Sequence, residues 1–156
     1  MFVKNIMKKK VITLSPEDSI VKVLRTFSKN HISGVPVVKE NKLVGIITDS
    51  DIIANLDIHT PRVHFSTSPD FILLLAGLKS KRGLDEIEVE MKILKRFKVR
   101  DFMNVNVLTV NPEDTITDVA RLIHKKKITR VPVINKKEKV VGLVARQDLI
   151  KALLKC

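Results

Sequence analysis

Apolar and polar positions along the chain switch between two periods, and the same order of switches occurs twice. Val11-Ile12-Thr13-Leu14 and Val107-Leu108-Thr109-Val110 are short β-branched runs that predict strands. Each is followed by a polar stretch, Ser15-Pro16-Glu17-Asp18 or Asn111-Pro112-Glu113-Asp114. A Ser or Asn N-cap, Pro at the first helical position and acids in the first turn together predict a helix start. The helices then carry Ile20, Val23, Leu24 and Phe27, and Ile116, Val119, Ala120 and Ile123, at the 3, 4 spacing of one buried stripe. Two hairpins follow, Val35 to Val38 with Leu43 to Ile47 and Val131 to Ile134 with Val140 to Val144, closed by polar turns at 39–42 and 135–139. Helices over Asp49 to Leu56 and Gln147 to Leu154 end the two segments.

The recurrence is a duplication. Val3 to Leu56 aligns with Val99 to Leu153 at an offset of 96, which becomes 97 after one extra residue near Glu138, and 21 of 54 aligned positions are identical. The expected class is α/β (α+β): two β-α-β-β-α repeats, at residues 1–56 and 99–156, joined by a helical insert at 57–98. One such unit has a single covered sheet face and a marginal core, so the two are expected to pack sheet to sheet as a pseudo-twofold pair with two related clefts between them. In the insert, Ser68-Pro69-Asp70 opens a helix through Phe71, Ile72, Leu74, Leu75 and Leu78. Leu84, Ile87, Met91 and Leu94 mark a second, amphipathic one, which either packs within the chain or makes a dimer contact.

Composition narrows the class. Of 156 residues 44% are hydrophobic and 29% charged, which is too apolar for a disordered chain. The single Cys156 makes no disulfide framework, no Cys/His group has zinc spacing, and a reducing cytoplasm is the expected compartment. No apolar run approaches the roughly 20 residues that span a bilayer. The net charge of +12 is the unusual feature. By linear segment it divides into +4, +2 and +6 for 1–56, 57–98 and 99–156, with knots at Lys8-Lys9-Lys10, Lys125-Lys126-Lys127 and Lys136-Lys137. Such knots either grip phosphates or are solvated lysines at loops and helix ends.

Candidate catalytic groups are missing. No nucleophile-base pairing, Gly-rich phosphate loop or carboxylate pair occurs, so an enzyme is not expected. Asp57, His59 and His64 surround Pro61 without helical i, i+4 spacing, which predicts a surface loop rather than a metal site. His31 and His124 end the first helix of each copy, where capping is their ordinary role.

Gly34-Val35-Pro36-Val37 with Gly45-Ile46-Ile47-Thr48-Asp49-Ser50-Asp51, and Arg130-Val131-Pro132-Val133 with Gly142-Leu143-Val144-Ala145-Arg146-Gln147-Asp148, resemble the pattern of CBS domains, whose tandem pairs are called Bateman modules. The resemblance covers about two thirds of the chain. It implies a regulatory or sensor module that binds AMP, ADP, ATP, S-adenosylmethionine or a related adenosyl compound in the clefts between copies and modulates a partner protein, commonly as a homodimer. No cofactor or metal is implied. By that resemblance Thr48 and Asp51 take ribose in a first cleft, with Val107, Leu108, Ile128 and Thr129 around adenine, and Gly34 stands where a phosphate Arg is usual. In a second, Asp148 takes ribose, Arg130 phosphate with Arg146 as a helper, and Val11, Ile12, Ile32 and Ser33 surround adenine.

The residues suit that chemistry, because a carboxylate accepts charge-assisted bonds from two adjacent hydroxyls. Thr48-x-x-Asp51 is equally a capping arrangement. Ala145 has no hydroxyl to cap with, so capping alone leaves Asp148 unexplained. The +12 charge keeps a nucleic-acid-binding protein as the alternative function, although aromatic stacking residues beyond six Phe and recognised DNA or RNA motifs are lacking.

Overall fold

A computed structural model describes residues 1–59 and 94–154. The expected insert helices between 68 and 93, and His64, lie outside the described residues. A 3-10 turn at Val3–Asn5 precedes α1 (Ile20–Asn30), β1 (Gly34–Lys39), β2 (Lys42–Thr48) and α2 (Asp49–His59). After the insert come a short helix α3 (Val99–Phe102), α4 (Ile116–Lys126), β3 (Arg130–Ile134), β4 (Val140–Ala145) and α5 (Arg146–Leu153). Each copy thus holds one two-stranded sheet flanked by helices.

Two expectations change. Val11–Leu14 and Val107–Val110 do not form full strands: only Leu14 and Val110 pair, in parallel, with Val37 and Val133. The helices also begin later than expected. Ser15 and Asn111 are not N-caps; their N–H groups are bound by the carboxylates of Asp18 and Asp114, both at 2.8 Å. Ser19 and Thr115 are the caps, accepting from Lys22 N and Asp118 N. The Pro-containing stretches are turns because their carbonyls serve another segment: Arg100 N donates to Pro16 O and Lys4 N to Pro112 O, both at 3.0 Å.

On the predicted stripe of α1, Ile20, Val23, Leu24 and Phe27 are all buried. On that of α4, Val119 and Ile123 are buried, but Ala120 is exposed and Leu122 packs on the core in its place. Both helices end in a left-handed residue, His31 at φ 51° and Lys127 at φ 53°, whose N–H closes the last turn. His124 lies in the last turn of α4, and Asp57 and His59, expected in a loop, continue α2.

The first hairpin turns through Glu40 and Asn41, both at left-handed φ (49° and 63°), as a two-residue loop requires. In the second, Asn135 Oδ1 accepts from Lys137 N and Lys139 N, and the extra residue of this copy is absorbed around left-handed Glu138. The register shifts between Val133 and Ile134.

The described chain packs as two compact units that do not follow the linear repeats. One comprises 1–13, 38–44 and 106–154; the other 14–37, 45–59 and 94–105. In the first, Val3 is fully buried beside Val119, Val131 and Val133, Val3 N donates to Asp114 O at 2.9 Å, and Lys8 pairs with Leu143. In the second, the equivalent Val99 is fully buried, its N–H donates to Asp18 O at 2.8 Å, and Asn104 pairs with Ile46. Each copy's small core is therefore completed by the lead segment of the other copy. Glycine gives that segment room to cross: a Cβ on Gly142 would lie 2.5 Å from Met7 Sδ and one on Gly45 2.7 Å from Met103 Sδ, so a larger residue would displace the methionine. This packing also regroups the charge. The described residues of the first unit carry 16 Lys and Arg against 6 Asp and Glu, net +10; those of the second carry 7 against 6, net +1.

Candidate functional site

The residues that resemble ligand contacts stand at the strand-to-helix junctions of both units. In the second unit β2 delivers Thr48 to the start of α2, and the Asp51 carboxylate turns back onto it. Asp51 Oδ2 accepts from Thr48 N at 2.8 Å and from the Thr48 hydroxyl at 2.7 Å, while Asp51 N donates to Thr48 Oγ1 at 3.3 Å. This is a complete reciprocal cap. Ser33, at the entry to β1, accepts from Asp49 N at 3.0 Å, and Ile32 beside it is half-buried. Gly34 is buried and supplies no side chain.

In the first unit the junction of β4 with α5 has the same backbone. Ala145 N donates to Asp148 Oδ2 at 2.8 Å, so half of the capping arrangement survives without the hydroxyl. The expectation that capping leaves Asp148 unexplained is corrected by this bond: the acid reaches back to the N–H whatever side chain residue 145 carries. Asp148 is nevertheless distinct, at 8% exposure the one buried polar or charged residue among the described residues. Burying a carboxylate is costly unless it is hydrogen-bonded and compensated. Its second oxygen faces at 3.8 Å the ammonium of Lys8, a member of the first lysine knot, for which sequence left open a phosphate grip or a solvated role. The antiparallel pairing of Lys8 with Leu143, two residues before Ala145, is what puts it there.

Arg130 opens β3 directly opposite Ala145, so it lies on the strand beside the Asp148 junction, half-buried with its Nε out of solvent. Arg146 N donates to Thr129 O and Arg146 Nε to Ile128 O, both at 3.0 Å, which ties the start of α5 to the entry of β3. The guanidinium of Arg146 is exposed and engaged on this carbonyl. Ile128 is half-buried and Thr129 exposed.

Val11, Ile12, Val107 and Leu108 also belong to the first unit. Ile12 and Leu108, equivalent in the two copies, are exposed to 36% and 37%. Large aliphatic side chains left open at matched positions form apolar surface that a flat aromatic ligand can cover. Of the expected contacts, then, the first unit gathers Val11, Ile12, Val107, Leu108, Ile128, Thr129, Arg130, Arg146 and Asp148, and the second gathers Ile32, Ser33, Thr48 and Asp51. Among the described residues no group of His, Cys, Asp and Glu is arranged for a metal ion. No helix there is long and apolar enough to cross a membrane.

Comparison with known proteins agrees with these landmarks. The model of the CBS domain matches residues 3–58 and 99–155, the two repeats. An uncharacterized protein of Methanocaldococcus jannaschii, MJ1426, is 37% identical over 155 residues, covering 99% of this chain and 92% of its own. Two further relatives from that archaeon are longer, and the chain spans 37% and 50% of them. Among solved structures, the CBS domain pair of MJ0100 in complex with 5′-methylthioadenosine and S-adenosyl-L-methionine superposes with a TM-score of 0.70. It has 26% identity and covers 98% of this chain and 99% of that one. A complex of CBSX2 with AMP shares the fold, with a TM-score of 0.70, 24% identity, and 99% and 96% of the two chains covered. With both repeats matched by the domain model and a relative alike over nearly its full length, the chain belongs to the CBS-domain family.

Proposed function

We propose that this protein is an adenosyl-ligand-binding regulatory module, without catalytic activity of its own, in which Asp51 and Asp148 accept the ribose hydroxyls and Arg130 binds a 5′-phosphate. The observation that carries the reading is the buried Asp148 carboxylate. Its Oδ2 is fixed by the Ala145 N–H while its Oδ1 makes no hydrogen bond among the described residues, so one oriented acceptor is kept for a ligand diol. The 5′-methylthioadenosine and S-adenosyl-L-methionine held by the CBS pair of MJ0100 supply the ligand class. Residues 1–56 and 99–156 act as the two sensing repeats, 57–98 as the insert, and a cytoplasmic homodimer acting on a separate protein is the working form.

Isothermal titration of the full chain with AMP, ATP, S-adenosylmethionine and adenosine tests the proposal. Saturable binding of at least one of them, lost in Asp148→Ala at the Arg130-containing site, is the expected result. No heat and no thermal shift with any of the four overturns it.

A second reading is favoured by one observation, the net +10 gathered on a single unit. Such a surface attracts polyanions and suits a nucleic-acid phosphate backbone. Duplex DNA binding that falls steeply with salt and survives Asp51→Ala and Asp148→Ala would establish it in place of the adenosyl reading.

A further inference from the structure

We propose that Lys8 is the charge-reading residue of the Asp148 site: it faces the carboxylate when the site is empty and moves to the 5′ substituent of a bound adenosyl ligand, selecting for a phosphate there. The inference rests on the adenosyl reading above.

Four observations lead to it. Lys8 is held by its backbone, donating from N to Leu143 O and accepting at O from Leu143 N, both at 3.0 Å, so its Cα is fixed beside the junction. Its side chain is not fixed: it is 63% exposed, and at 3.8 Å its ammonium is beyond hydrogen-bond length from Asp148 Oδ1. Such a contact can be given up once a ligand hydroxyl takes its place on Oδ1, so that the buried carboxylate stays compensated. Arg130 begins the neighbouring strand with its Cα opposite Ala145, so a second cationic residue starts from the strand next to the one that leads into this acid. Finally, the matching position in the other unit is Asn104, which makes the same backbone pair with Ile46 but carries no charge; no salt bridge to Asp51 occurs among the described residues.

The chemistry follows from the ligand's shape. In a nucleotide the ribose hydroxyls and the 5′ substituent are joined through one sugar ring. A four-carbon stem that brings an ammonium to the diol-binding carboxylate also brings it to the phosphate. Once the ribose hydroxyls occupy Asp148, an adenosine 5′-phosphate offers Lys8 a new anion, a neutral 5′-thioether offers none, and the sulfonium of S-adenosylmethionine repels it. The Asp148 site is thereby biased to nucleotides, and the Asp51 site, with Asn104 and Gly34, is left tolerant of uncharged adenosyl compounds.

The experiment is isothermal titration of AMP and of adenosine into the full chain, as wild type, Lys8→Gln and Lys8→Arg, at low and at high salt. Expected is a loss of about tenfold in AMP affinity at the Asp148 site in Lys8→Gln, the order of one charge-assisted contact at a partly exposed site. Adenosine affinity stays unchanged, and Lys8→Arg restores AMP. Because Lys8 is exposed, an unchanged thermal unfolding curve for each variant confirms that the fold is intact. AMP binding equal in Lys8→Gln and wild type overturns the assignment of Lys8 while leaving the adenosyl reading in place. Equal losses for AMP and adenosine overturn it as well, since Lys8 would then only order Asp148. Failure of wild type to bind either ligand removes both this inference and the reading on which it rests.

Discussion

At the scale of single residues, the chain uses one device repeatedly: an acid or amide three positions after a segment start reaches back to the opening N–H. Asn5, Asp18, Asp51, Asp101, Asp114 and Asp148 do this for Phe2, Ser15, Thr48, Lys98, Asn111 and Ala145. Asp51 and Asp148 are thus structural before they are anything else, and the proposed ligand role falls on a carboxylate already oriented. The two junctions differ in one atom group, because Thr48 Oγ1 accepts from Asp51 N and Ala145 has nothing to accept with. Ala145→Ser should therefore complete the cap on α5, stabilising the protein by about 0.5–1 kcal/mol. Thermal unfolding should rise by roughly 1–4 °C. A melting temperature equal to or below wild type would show that the N–H is already satisfied.

At the scale of elements, the turn before α1 is tied to the segment around α3 by charge as well as by backbone. Glu17 meets Lys98 at 2.6 Å and Arg100 at 2.5 Å. The hydrogen bond from Lys98, opposed by desolvation and reinforced by the Arg100 and Lys98 charges and the Arg100 hydrogen bond, holds the Glu17 carboxyl below its ordinary value of 4.5. Asp18 next to it is pushed up by burial, and the Lys22 and Ser15 N–H hydrogen bonds and the Lys22 charge outweigh that push, so it too lies below its ordinary 3.8. A carboxyl whose value is depressed on folding stabilises the protein above its unfolded value and ceases to do so as the pH falls through the folded one. Glu17→Gln should accordingly lower the melting temperature at neutral pH and at pH 5. The gap from wild type should close progressively below about pH 4.5. A gap that persists unchanged to pH 2.5 would mean that Glu17 acts through packing.

At the scale of the whole molecule, the exchange of lead segments makes each repeat dependent on residues far away in the chain: Val3 N donates to Asp114 O and Asn104 N to Ile46 O. Val3 alone is fully buried, worth about 1.5–3 kcal/mol for a side chain of its class, and Ile6 and Met7 pack on the same core. Removal of residues 1–10 should cost more than about 3 kcal/mol and leave the 106–154 unit without a cooperative transition. Far-ultraviolet circular dichroism during urea unfolding would report this, and a truncated chain as stable as the full one would disprove the exchange. The same packing converts a charge that looks dispersed in linear order into one strongly basic unit and one nearly neutral unit. Any polyanion partner is thereby directed to the first.

The duplication, the buried stripe of α1, both hairpins and the closing helices were legible from the chain itself, because they depend on local period and turn chemistry within windows of about ten residues. The places of Thr48, Asp51, Arg130 and Asp148 at strand ends and helix starts were legible too, because each short motif that carries them is contiguous. What local patterns could not express was competition from distant groups. The Ser15-Pro16 and Asn111-Pro112 stretches read as helix starts, but their carbonyls are claimed by Arg100 and Lys4, so they become turns and the caps move to Ser19 and Thr115. Lys8 read as one lysine in a run until its pairing with Leu143 carried it to Asp148. Sequence by itself determined the hairpins, the long helices and which residue types stand at their junctions. Tertiary structure alone decided whose lead segment completes whose core, and therefore which charges share a site, since backbone pairing between segments far apart in the chain leaves no local periodicity to read.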